Sequence, residues 1–192
     1  MPASTSKIVS LVVASAVLAV LVPASKAEAQ AVGYQYYALT PCRLVDTREA
    51  PGSVNNMGQV GTTGPIVNRT NTLFTAKGNC GIPASGVYAI SANVTAVMPT
   101  ADGHFRFFPA DAAAVGLFST INFVANESAV ANGAIMVTQP TGVTTAPAGP
   151  GGAVGGVAGS GDFGIFLGGG AGTTAGTSTS HVVIDITGYF AP

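Results

Sequence analysis

The clearest pattern along the chain runs from Val87 to Met98. Tyr88, Ile90, Ala92, Val94, Ala96 and Met98 fall on one face, and Ser91, Asn93 and Thr95 on the other, among Val87, Ala89 and Val97. A period of two is that of a half-buried β-strand. His181 to Phe190 alternates in the same way. Val182, Ile184, Ile186 and Phe190 are expected inward, with His181, Asp185 and Tyr189 on the second face beside Val183 and Thr187.

Shorter runs fill in the remaining strands. Gly33 to Thr40 is tyrosine-rich, with Tyr34 and Tyr36 on one face and Tyr37 on the other. Pro41 to Arg48 follows as a short strand, and Ile66 to Thr75 reads as one strand entering the polar turn Lys77–Gly81. Asp102-Gly103 ends a turn after Pro99, so Val87–Met98 and His104–Phe108 are expected to form a hairpin. Phe105 and Phe107 would face one side of it, and His104, Arg106 and Phe108 the other. Ser119–Val124, Val130–Gln139 and Asp162–Leu167 complete the set. Glu49–Gly64 and Gly168–Ser180 read as loops. Thr141–Gly161 is rich in Gly, Ala, Pro and Thr and reads as a flexible, unpacked loop.

Eight or nine short strands with no helix of useful length predict an all-β fold, a single β-sandwich with Gly/Ala-rich loops. The first and last strands both read as central, which favours a jelly-roll or Greek-key order.

The amino end changes the picture of where this domain works. Lys7, the apolar run Ile8–Val22, Pro23 and the Ala27-Glu28-Ala29 triplet have the layout of an export signal, so residues 1–29 are expected to be removed. The run is short for a membrane span. The remaining 163 residues (192 less 29) suit one domain, with residues 30–40 as an amino-terminal strand and 41–192 as the sandwich. A secreted or cell-surface location follows, with no membrane attachment after cleavage. That part keeps five basic and seven acidic residues and only Lys77 among lysines. With no basic patch, nucleic acid and anionic membranes are poor partners.

Charge is scarce, yet Pro41-Cys42-Arg43-Leu44-Val45-Asp46-Thr47-Arg48 holds one of the two cysteines and two of the four arginines. Asp46 and Arg48, two apart on an extended segment, point to one face and can pair. This octapeptide reads as a polar latch, with Asp46 and Arg48 largely buried and Asp185 of the last strand as candidate partner. Two cysteines in an exported chain read first as a disulfide, Cys42 to Cys80, worth roughly 4 kcal/mol in the chain-entropy account. Two free buried thiols are the alternative, and a metal held by both is disfavoured by the lack of a nearby histidine.

Catalytic and ligand chemistry is thin. His104 and His181 are the available imidazoles. His181 and Asp185, four residues apart on a strand, would be about 13 Å apart, too far to hydrogen-bond. Asp102, Asp111 and Asp162 lie near glycine-rich turns but lack the spacing of a calcium loop, so they read as solvated turn residues. The glycine runs lack the Gly-Lys-Ser/Thr of a phosphate loop. Asn68, Asn93 and Asn126 head triplets that match the glycosylation sequon. No cofactor and no metal are expected.

PCRLVDTR, GNCGIPASG, SANVTAV, STINF, VANGA and HVVIDITGYF, spread over Tyr37–Phe190, together resemble a β-domain found in exported proteins of several bacterial phyla. The resemblance implies a module, often tandem or appended to larger surface proteins, without an established catalytic role. This chain departs from it in a longer Gly/Ala stretch between Gln139 and Asp162, and the module is expected to make up the whole mature protein.

Three functions are weighed on these residues. The first is a non-catalytic structural module of the cell surface or matrix that associates with itself or with other surface components. Its edges carry little charge, and Gly33–Thr40, with Tyr34, Tyr36 and Tyr37, is the expected joining strand, passed head to tail into a filament or folded onto its own domain. The second is a glycan-binding or adhesion module using those tyrosines or the loops. The third is a secreted hydrolase, for which the sequence offers little.

Overall fold

A computed structural model describes residues 33–58, 64–110, 117–139, 161–170 and 173–192. The export-signal segment therefore lies outside the described residues, as do Asp111 and the Thr141–Gly161 loop except for Gly161. Nine strands are present among them: β1 Gln35–Asp46, β2 Ile66–Val67, β3 Asn71–Phe74, β4 Ala89–Val97, β5 Gly103–Pro109, β6 Ile121–Phe123, β7 Ala129–Val137, β8 Phe163–Gly169 and β9 Thr179–Ala191. No described helix is long and apolar enough to cross a membrane.

The strands form two sheets, one ordered β1-β9-β4-β7 with β2 also on β9, the other β3-β8-β5-β6. Every described pairing between strands is antiparallel. After the β5–β6 hairpin, each further connection crosses from one sheet to the other, which is the winding of a jelly roll. The expected sandwich is present. β9 is central, as expected, but β1 lies at a margin of its sheet.

The core fills the gap between the sheets. Ile90, Val94 and Ala96 of β4 and Val182, Ile184 and Ile186 of β9 face Phe105, Ile121, Phe123, Phe163, Ile165 and Leu167 of the second sheet. All are buried, as the alternation of β4 and β9 demands.

The expected β4–β5 hairpin is not formed. β4 pairs with β7 and β9, while β5 pairs with β6 and β8 in the other sheet. Met98 takes a positive φ of 46° and stands exposed, and Thr100 exchanges bonds with Thr179 instead of closing a two-strand turn. The turn chemistry was there, but it builds an arch between sheets. Ile66–Thr75 is likewise two strands. Arg69, at φ 58°, redirects the chain so that β2 joins β9 and β3 joins β8.

The face assignment of β9 holds to Ile186 and then inverts. A bulge at Thr187 pairs Ala92 with Ile186 but Ser91 with Gly188. One extra residue exchanges the two faces beyond it. Tyr189, not Phe190, therefore packs against the core, and Phe190 meets Tyr36 at a ring separation of 5.2 Å.

Glycines in these strands are roofed by rings. Gly164, Gly168 and Gly188 lie under Phe108, His104 and Tyr36, so close that a Cβ would collide with each ring. A ring over a strand glycine restores the cross-strand burial that the missing side chain forfeits. Gly161 is also buried: a Cβ there would strike the Phe74 backbone, so the end of the expected loose loop is packed.

Candidate functional site

The first six residues of the octapeptide, Pro41 to Asp46, are the carboxyl half of β1 and not a separate strand, and Thr47 and Arg48 follow in a turn. β1 runs without a break in chain order from Gln35 to Asp46, and three residues, Leu39 to Pro41, stand against Thr187 alone between the Ala38–Gly188 and Cys42–Ile186 pairs. Pro41, which has no N–H to offer a ladder, sits in that irregularity. Cys42 and Cys80 are joined by a disulfide with Cα atoms 5.7 Å apart.

Arg43 lies opposite Asp185 and binds it through two donors, Nε to Oδ1 at 2.9 Å and Nη2 to Oδ2 at 3.2 Å. Asp46 is buried and accepts from Arg48 Nε at 2.8 Å, Arg48 Nη2 at 2.6 Å and the Arg48 backbone N–H at 3.1 Å. Arg43 Nη1 reaches the same carboxylate at 3.5 Å, so the four charges form one chain, Arg48–Asp46–Arg43–Asp185. Two expectations are corrected. Arg48 is exposed, because its long side chain leaves the fold to reach back to Asp46, and the partner of Asp185 is Arg43. The Arg48 hydrogen bond, against the cost of burial, holds Asp46 below its ordinary carboxylate range. Arg43 and Arg48 are raised, each chiefly by the hydrogen bond to its carboxylate.

Neighbouring residues complete the latch. Thr47 Oγ1 accepts the Val182 N–H at 3.0 Å and lies 3.0 Å from His181 Nδ1. Asn56 is fully buried, accepts the Asp46 N–H at 3.3 Å and donates to Glu49 O at 3.1 Å. Composition marked Asn56 only as a turn residue; nothing in its neighbours signals this clamp.

Asp162 is buried, not solvated, and is the second residue that sequence reasoning missed. Its carboxylate accepts the Ala76 N–H at 3.0 Å and the Lys77 N–H at 2.8 Å, fixing the turn that carries Cys80. Burial outweighs those bonds and raises its pKa. Cys80 itself has φ 52°. Asp102 accepts the Ala125 N–H at 2.8 Å. Among the described residues no group of three or more His, Cys, Asp or Glu could hold a metal ion.

The tyrosines pack on their own chain. Tyr34 meets Tyr88 with tilted rings at 4.6 Å and Tyr37 stacks on Tyr189 at 5.0 Å, while the Tyr36 hydroxyl donates to Thr187 O at 3.0 Å. In the single chain this strand pairs with β9 of the same chain. Asn68, the first sequon residue, is buried and donates to Thr174 O at 2.8 Å.

Three surface regions stand out among the described residues. A depression of ≈ 300 Å³ on the second sheet is lined by Arg69, His104, Arg106 and Phe166, with Arg106 5.5 Å over the Phe166 ring. His104 is half-buried there, and desolvation chiefly, with Arg106, lowers its pKa. A shallow groove of ≈ 350 Å³ on the first sheet is lined by Ser91, Asn93, Gly133, Ile135 and Thr187. The third region is the outer margin of β7. Its nine residues, AVANGAIMV, have no charge, no proline and an unbroken register with β4.

No family model, curated protein or solved structure matches the chain.

Proposed function

We propose that this chain is an exported structural module that self-associates by adding strands at the edge of its first sheet. The observation that carries this reading is the β7 margin. Protein sheets ordinarily guard an edge with lysine, proline or a bulge. β7 has none, and its Ile135 and Val137 are 67% and 56% exposed. The Cys42–Cys80 disulfide fits an oxidising compartment, as do the signal-like residues 1–29 and the resemblance to bacterial surface modules. Neither described histidine is hydrogen-bonded to a carboxylate: His181 turns to Thr47. A catalytic step therefore has no part in the reading. Sedimentation velocity over a concentration series tests it. Oligomers should grow with concentration, and a chain monomeric throughout overturns the reading.

The outer-face groove supports a second reading, glycan binding. Ser91, Asn93 and Thr187 offer hydroxyl and amide groups there, and Tyr36 is tied to Thr187 beside them. A monomer retained on a polysaccharide column would favour this function over assembly.

A further inference from the structure

The main-chain hydrogen bonds at the two ends of β7 fix which of its groups point outward. The Thr138 N–H donates to Tyr88 O, and the Met98 N–H to Ser128 O, both on the β4–β7 diagonal. Even-numbered residues therefore turn their main-chain groups to β4. In an antiparallel ladder the alternate residues turn theirs away. Those are Ala129, Ala131, Gly133, Ile135 and Val137, all of them exposed.

Resting on the reading of self-association, we propose that β7 of one copy pairs antiparallel with β7 of a second copy about a two-fold axis at Gly133. This register sets Gly133 against Gly133, Ala131 against Ile135 and Ala129 against Val137. All five outward residues then find a partner, and a slip of one repeat leaves some unpaired. Each large side chain meets a small one, and no charge faces a charge.

The other edges are poorer. In β1 the ladder is interrupted at Leu39–Pro41, and its last turn is covered, Gly58 N–H donating to Leu44 O and Asn56 accepting the Asp46 N–H. The edge strands of the second sheet, β3 and β6, have four and three residues. The joint spans about 30 Å at strand rise. One strand pair falls short of the roughly 1,200 Å² of a stable interface, so the dimer should be weak and concentration-dependent. A two-fold contact also closes on itself. This joint alone yields a dimer, not a filament.

Cysteine pairs test the register in the full chain with its native disulfide kept. Ala131→Cys mixed with Ile135→Cys should cross-link under mild oxidation. Ala131→Cys alone should not, since its two copies would lie about 13 Å apart across the axis, beyond disulfide reach. Ala131→Pro removes an outward N–H and no β4 bond. It should weaken dimerisation at least about tenfold, the worth of an outward hydrogen bond or two, with an unchanged melting temperature. A chain monomeric at every concentration overturns the self-association reading itself. A dimer in which Ala131→Cys cross-links to itself, or which Ala131→Pro leaves intact, overturns this register and leaves that reading standing.

Discussion

Arg43 faces Asp185 across the β1–β9 ladder and holds both of its carboxylate oxygens, at 2.9 and 3.2 Å. Both side chains remain about a third exposed, at 39% and 29%. Solvent therefore screens the pair, and its geometry sets register more than it adds stability. A double-mutant cycle with Arg43→Ala and Asp185→Ala should give a coupling of about 0.5–1 kcal/mol. Arg48→Ala should cost more, about 1–2 kcal/mol, because it strips donors from the buried Asp46. Urea denaturation of the single variants checks the order. An Arg43→Ala loss larger than that of Arg48→Ala would reverse the assignment of the central carboxylate.

Two buried carboxylates should pull the acid limb of stability in opposite directions. Asp46 is depressed in the fold by Arg48. Its contribution is present above the unfolded value of about 3.9 and is lost as pH falls through the folded one. Asp162 is raised by burial. Its contribution is complete below about 3.9 and is lost as pH rises through the folded value. Melting temperatures between pH 2 and 7 should fall less steeply on the acid side for Asp46→Asn than for the parent chain. Asp162→Asn should fall more steeply. Parallel curves for all three would show that neither group carries the pH dependence.

Tyr36 covers Gly188, and the ring position leaves no room for a Cβ. Gly188→Ala should displace the ring and cost about 1–3 kcal/mol, as overpacking does. In a Tyr36→Ala background the same change should cost far less, because the colliding atoms are gone. Thermal unfolding of the four variants decides it; equal costs in both backgrounds would mean that the ring does not rest on Gly188.

Strands were legible where one face meets the core. β4 and β9 alternate because the opposing sheet demands it. Pairing was not legible, because a turn such as Pro99–Gly103 has the same local chemistry whether the chain folds back or crosses to another sheet. What separates them is remote: Thr100 meets Thr179. Tyr189 and Phe190 were misassigned for a similar reason, since the bulge at Thr187 is a property of the pair β4–β9 and not of β9 alone. Of the latch, Asp46, Arg48 and the disulfide were legible from the scarcity of charge and cysteine. Arg43 lay in the same octapeptide, but choosing it over Arg48 for Asp185 required the register. Asn56 sat in loop-like sequence and Asp162 at the start of an expected strand beside a glycine-rich turn, and in neither place does the local sequence distinguish a buried polar side chain from a solvated one.

Asp162 and the disulfide act on the same turn, so their effects should not add. The carboxylate holds the Ala76 and Lys77 amides, and Cys80 a few residues on is tied to Cys42 of β1. Replacing both cysteines by alanine should cost roughly 4 kcal/mol for a loop of 38 residues. Asp162→Ala leaves two amides without their acceptor and should cost about 2–4 kcal/mol in the oxidised protein. Once the disulfide is gone the turn no longer has to meet β1. The same substitution should then cost less, by about 1 kcal/mol or more, the coupling of two groups on one element. Denaturant unfolding of the parent, the cysteine-free chain, Asp162→Ala and the combination measures this directly. Strict additivity would mean that Asp162 stabilises β8 alone and takes no part in placing Cys80.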